Sequence, residues 1–107
     1  MKQLNQRDAI HYITTRQEFK ASALEGWQGT ASKDTARIST GRLNAEESAK
    51  LINAAESIDY VVFSYDTPIA FHYAEGWYVV EQKFSVTTSK HQNYVRRAIA
   101  DSLAGAL

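Results

Sequence analysis

Cysteine is absent from the 107 residues. Its absence excludes disulfides, thiolate nucleophiles and cysteine-ligated metal sites, and it fits a reducing compartment. Glycine is scarce, with five residues and no phosphate-cradling loop or Gly-x-Ser-x-Gly elbow among them. Proline occurs once, at Pro68. No stretch approaches the ~20 apolar residues of a membrane span, and Met1–Asp8 lacks the apolar centre of a signal peptide. The expectation is a cytoplasmic bacterial protein that does not enter a membrane. Net charge is also missing: 12 basic side chains balance 12 acidic ones, whereas a strongly basic nucleic-acid binder or an acidic DNA mimic shows one sign in excess.

The balance is uneven along the chain. Residues 1–43 carry seven basic and four acidic side chains, residues 44–82 one and seven, and residues 83–107 four and one. A folded molecule can therefore carry an acidic and a basic face, although solvated surface charge accounts for the same pattern. Hydrophobic residues make up 44%, enough for one modest core. Most of the aromatic rings fall between Tyr60 and Phe84.

The periodicity predicts an α+β single domain over 1–107, in the order α-β-β-α-β-β-β-α. A mostly antiparallel sheet of four or five strands carries helices on one face. Asn5 caps a first helix with Ala9, Ile10 and Ile13 on its apolar stripe. Phe19–Leu24 alternates as a short strand, with a longer helix through Arg16–Leu24 as the alternative. The small, polar stretch Gly26–Asp34 reads as a loop that returns into Ala36–Ser39. Asn44 and Glu47 form a capping arrangement ahead of Leu51, Ile52 and Ala55. Tyr60–Tyr65, Ile69–Tyr73 and a long Trp77–Thr87 read as a three-stranded meander, with Pro68 in a turn and a bulge near Gln82 and Lys83. Ser89 and Gln92 read as the capping box of a last helix that buries Tyr94, Val95, Ala98, Ile99 and Leu103. The second and last helices are expected on the same face of the sheet.

No metal or cofactor site is expected, because His11, His72 and His91 stand at no ligand spacing from one another. Two histidines and a lysine can run ribonuclease-type acid–base chemistry, but nothing in the spacing brings these three together, and no catalytic residue is assigned. Two other groups stand out. Ser89, Lys90 and His91 open the last helix, and Arg96 and Arg97 follow two turns on, a pattern suited to anions or nucleic acid. The aromatic residues Tyr65, Tyr73 and Trp77 suit a protein contact, and Trp27 in its loop either folds back to cover the core or joins them as a contact residue. The ribonucleoprotein glycine-aromatic motif is absent.

The run Tyr60-Val61-Val62-Phe63-Ser64-Tyr65-Asp66-Thr67-Pro68-Ile69-Ala70-Phe71-His72, followed by Phe84-Ser85-Val86-Thr87-Thr88-Ser89-Lys90-His91-Gln92, resembles small tailed-phage and prophage proteins. Phe19–Gly26 and Thr40–Leu43 fit the same pattern. The resemblance implies a phage or mobile-element origin and supplies no catalytic residues. It favours a non-enzymatic accessory protein that modulates a host or phage protein in an anti-CRISPR-like manner. A nucleic-acid-binding factor using the last helix is the alternative, and a ribonuclease-like enzyme the second. Self-association through a sheet edge is left open.

Overall fold

The computed structural model describes residues 5–29 and 41–105, and its first helix, α1 (Gln6–Thr14), opens at the expected cap. Asn5 Oδ1 accepts from the Asp8 amide at 3.1 Å. The helix stops because Arg16 turns left-handed, at φ 52°. Its amide then reaches the Ile13 carbonyl, and that of Gln17 reaches Tyr12, the double bond that closes helix ends in this manner. The longer helix is thereby ruled out.

A two-residue turn at Ser22 and Ala23 joins β1 (Phe19–Ala21) to β2 (Leu24–Gln28). Gly26, Trp27 and Gln28 are thus strand and not loop. They pair with Val62, Val61 and Tyr60, and this tertiary ladder outweighs the local loop propensity. Gly26 is the residue that fits there: a Cβ would collide with the Tyr60 hydroxyl and the Phe19 ring. The expected strand Ala36–Ser39 and the rest of that loop lie outside the described residues.

The helix α2 (Ala45–Ala54) begins as expected, with Asn44 Oδ1 accepting from the Glu47 amide at 2.8 Å, and continues into a 3-10 turn over Ala55–Ser57. The meander β3 (Tyr60–Ser64), β4 (Thr67–Tyr73) and β5 (Gly76–Val79) completes a five-stranded antiparallel sheet in the order β1-β2-β3-β4-β5. The turn between β3 and β4 is Tyr65-Asp66, so Pro68 lies inside β4. Beside it the register shifts. Val62 faces Ala70 and Phe63 faces Pro68, which leaves Ile69 as an extra residue, and a bulge is where a strand tolerates proline.

The long third strand is not formed. β5 ends at Val79, and α3 (Val86–Gly105) begins three residues ahead of the expected cap. Ser85 does the capping, its Oγ accepting from the Thr88 amide at 3.3 Å. Gln92 is buried instead of capping, and its amide donates to the carbonyls of Val80 and Gln82. Apart from the Val80 amide, which bonds the Ile69 carbonyl at 2.9 Å, a side chain thus holds this segment where a sheet ladder was expected.

The α+β class, strand number and element order agree with the sequence reading, but the helices divide between the two faces. Ala9 and Ile13 of α1 and Val95 and Ala98 of α3 pack on Phe19, Leu24, Tyr60, Val62, Ile69 and Ala70. Leu51 of α2 packs on the reverse face, against Val61, Phe63 and Phe71. The physical reason is visible in β3, all five residues of which are buried: a strand with no polar alternation is covered on both sides. The buried face of α3 also differs from the expected one. His91 is buried, and Leu103, expected inside, is 67% exposed. No described helix is long and apolar enough to cross a membrane.

Candidate functional site

Ser64 ends β3 under α3. Its hydroxyl hydrogen-bonds His91 Nδ1 at 2.7 Å and Thr88 Oγ1 at 3.1 Å. Ser64 and His91 are both buried. Burial, with Lys90 as the lesser cause, holds the His91 pKa below the ordinary histidine value and keeps the ring neutral at pH 7. The imidazole stacks with Tyr65, 6.2 Å between centroids and 28° between planes, and with Tyr94 at 6.3 Å and 29°.

Tyr65 is held from behind by this stack and is 56% exposed in front. Its backbone is left-handed, at φ 50°, and Asp66 follows at 66°. A two-residue hairpin asks for positive φ at both positions, which Asn and Gly satisfy cheaply and a bulky aromatic does not. The Tyr65 amide donates to the Ala23 carbonyl at 3.0 Å, so the turn rests on the neighbouring hairpin. Beside the ring opens a cleft of about 510 Å³, lined by Arg42, Ser64, Thr67, Lys83 and Thr88 among others. Gly41 packs against Thr67 and Asp66, where a side chain would clash, and this places Arg42 at the cleft.

The four aromatic residues singled out for partner contact do not form one patch. Tyr65 stands at the hairpin tip. Trp27 covers the α2-side core and donates from Nε1 to Glu25 at 3.2 Å. Tyr73 is on that same side, whereas Trp77 faces the α1–α3 side, edge-on to Tyr60 and His72. The basic group at the last helix also divides. His91 points inward, and Ser89 is half-buried in the first turn. Lys90 and Arg97 share an exposed stripe, with the Lys90 ammonium 5.8 Å from the Tyr94 ring and Arg97 paired to Asp101 at 3.7 Å. Arg96 lies about 100° round the helix, bonded to Asn93 at 3.1 Å.

The histidines keep separate company. His11 is exposed on α1, and His72 joins Asp59 at 2.8 Å and Arg16 at 3.4 Å. Among the described residues, no three His, Asp or Glu side chains gather as metal ligands.

A second feature, absent from the sequence reading, lies between α2 and the β4–β5 hairpin. Phe71, Tyr73, Tyr78, Lys50, Asn53 and Glu75 line a pocket of about 410 Å³. Buried Glu47 accepts from the Tyr78 hydroxyl at 2.6 and 2.9 Å and from the Glu81 amide at 3.2 Å. Lys50 donates to Tyr78 at 3.0 Å. The Tyr78 pKa is raised, first by burial and then by the bond to Glu47. The signal for this pocket was present in the alternation: Phe71, Tyr73 and Tyr78 fall on one face once a two-residue turn fixes the register.

The family model for DUF8033, a family of unknown function, matches residues 11–101. The chain belongs to DUF8033. That match runs from α1 into the last turns of α3 and takes in all five strands, both pockets and the Tyr65 tip. No curated protein and no solved structure matches the chain.

Proposed function

We propose that this DUF8033 member is a non-enzymatic accessory binding protein of phage or mobile-element origin. It acts in the bacterial cytoplasm on a host or phage protein, which it grips at the tip of the β3–β4 hairpin. One observation carries the reading: a tyrosine occupies a left-handed turn position and is 56% exposed. Such a conformation costs a bulky residue about 1–3 kcal/mol, and Asn or Gly would make the same turn more cheaply. The ring therefore has a use outside the fold. Tyrosine is among the residues that anchor interfaces, and a ring already fixed against His91 loses little freedom on binding. The origin rests on the phage-protein resemblance alone.

A nucleic-acid reading keeps one observation of its own, the exposed Lys90 and Arg97 on one stripe of α3, with the Lys90 ammonium 5.8 Å from the half-buried Tyr94 ring. One experiment separates the two. Tagged wild type, Tyr65→Asn and Arg96→Ala/Arg97→Ala are used to capture material from host lysate, with and without nuclease. The expected result is a specific protein retained after nuclease by the wild type and the arginine variant, and recovered at least ~10-fold less by Tyr65→Asn. Equal recovery by Tyr65→Asn removes the tip from the interface. Recovery of nucleic acid only, lost in the arginine variant and steeply weakened by salt, replaces the protein reading.

A further inference from the structure

The pocket between α2 and the β4–β5 hairpin is separate from the hairpin tip, and its chemistry is different. Phe71 forms its floor and is 2% exposed. The Tyr73 and Tyr78 rings each lie 5.3 Å from Phe71, tilted by 63° and 41°. Three rings inclined in this way do not offer the parallel slot that a flat aromatic ligand needs. They line an open box with inclined aromatic surface, and such surface attracts cations.

The charges around the box agree. At its α2 end the Lys50 ammonium is already neutralised: Glu46 and Glu47 lie at 3.9 and 4.0 Å, and the Tyr78 hydroxyl accepts from it. It sits 5.1 Å from the Tyr78 ring centroid, so one wall already has a cation beside it. At the other end Glu75 accepts from the Tyr73 hydroxyl at 3.1 Å, and among the described residues no cation pairs with it. The box therefore has three rings, an uncompensated carboxylate at its open end and room of about 410 Å³.

We infer that this pocket binds a quaternary or alkylated ammonium group, seated against Tyr73 with its charge toward Glu75 and away from Lys50. Such a group comes either as a free small cation of choline size or as a methylated lysine of a partner. Nothing in this assignment depends on Tyr65, so it can fail while the hairpin-tip reading stands, and the reverse.

The test is calorimetric titration of the full chain with choline chloride. Sodium chloride at equal ionic strength is the blank, and 3,3-dimethylbutan-1-ol is the uncharged probe of the same shape. Choline is expected to bind saturably and ~10-fold more tightly than the alcohol. Glu75→Gln is expected to weaken choline several-fold. Tyr73→Leu, which keeps apolar bulk and removes the ring, weakens it ~10-fold. Lys50→Met is expected to strengthen it, because Glu46 and Glu47 are then left without their cation. Retained melting temperatures show that the variants are folded, and exposed Glu75 decides the matter if Tyr73→Leu is not. A peptide bearing trimethyl-lysine, titrated alongside, identifies the source by which of the two binds more tightly. Equal binding of the neutral alcohol, an unchanged Glu75→Gln, weaker binding by Lys50→Met, or no saturable heat from either cation overturns the assignment.

Discussion

The ring of Tyr65 lies against the imidazole of His91, 6.2 Å away and 28° from parallel, so an exposed turn residue is fixed by one that is fully buried. The stack joins the tip of the β3–β4 hairpin to the first turns of α3. It also sets two opposing contributions at one position, a favourable ring contact and an unfavourable backbone.

Replacing Tyr65 by Asn separates them. The stack is worth about 0.5–1.5 kcal/mol, and the left-handed backbone costs about 1–3 kcal/mol. Tyr65→Asn is therefore expected to be at least as stable as wild type in thermal or urea melts. A loss above ~1 kcal/mol would mean that the ring is there for the fold.

His91 gives the protein a pH dependence with a definite sign. Its pKa is lowered in the folded chain, so the unfolded chain takes up the proton first. Stability is thus unaffected well above the ordinary histidine value of 6.5. It declines as pH falls below that value toward the folded one. In His91→Phe the decline attributable to this ring is expected to disappear, at the cost of a lower stability at pH 7 because Ser64 loses a partner. Urea midpoints between pH 7.5 and 5 for the two proteins test this. An equal slope in both would place the titration elsewhere.

The position of the α3 cap is open to a direct comparison. Ser85→Ala removes the acceptor of the Thr88 amide and is expected to cost about 1 kcal/mol. Ser89→Ala falls within the first turn and is expected to stay within ~0.5 kcal/mol of wild type. The reverse order in denaturant melts would restore the later helix start.

Gly26→Ala probes the close approach of β2 to the Tyr60 ring. The added methyl meets the Tyr60 hydroxyl and the Phe19 ring, and overpacking of this kind costs about 1–3 kcal/mol. The Tyr60 hydroxyl donates to the Gln17 carbonyl at 2.6 Å, and that bond should loosen with it. Faster amide exchange in β1 and β2 is the expected accompaniment.

What could be read from the sequence was what is decided within a few residues. Asn5 and Asn44 announce their helices because a cap is local chemistry. The apolar run at β3 announces a strand, and its lack of alternation also implied cover on both faces, an implication the one-face arrangement overlooked. Ser85 and Ser89 are both plausible caps in isolation. The choice falls to Ser85 because Gln92 is taken up by the carbonyls of Val80 and Gln82 and not by the amide of a cap residue. Gly26 reads as a loop residue until Tyr60 is set beside it. Among site residues, Tyr65 was legible as an aromatic beside a turn, but its left-handed backbone and its stack on His91 were not. Arg42 reaches the cleft, and Lys50 and Glu75 reach opposite ends of the ring box, only after the strands pair.

The tip is mounted on the middle of the sheet. β3 is bound along its length by β2 on one side and β4 on the other, and Tyr65 follows directly from its last residue. A partner that tugs on Tyr65 loads β3 along its own axis. Because β3 and β4 move together through their shared turn, the β2–β3 and β4–β5 ladders must slide in shear before the tip yields, unlike the residue-by-residue peeling of an edge strand. The handle is thereby attached to the central strand of the sheet and not to an edge.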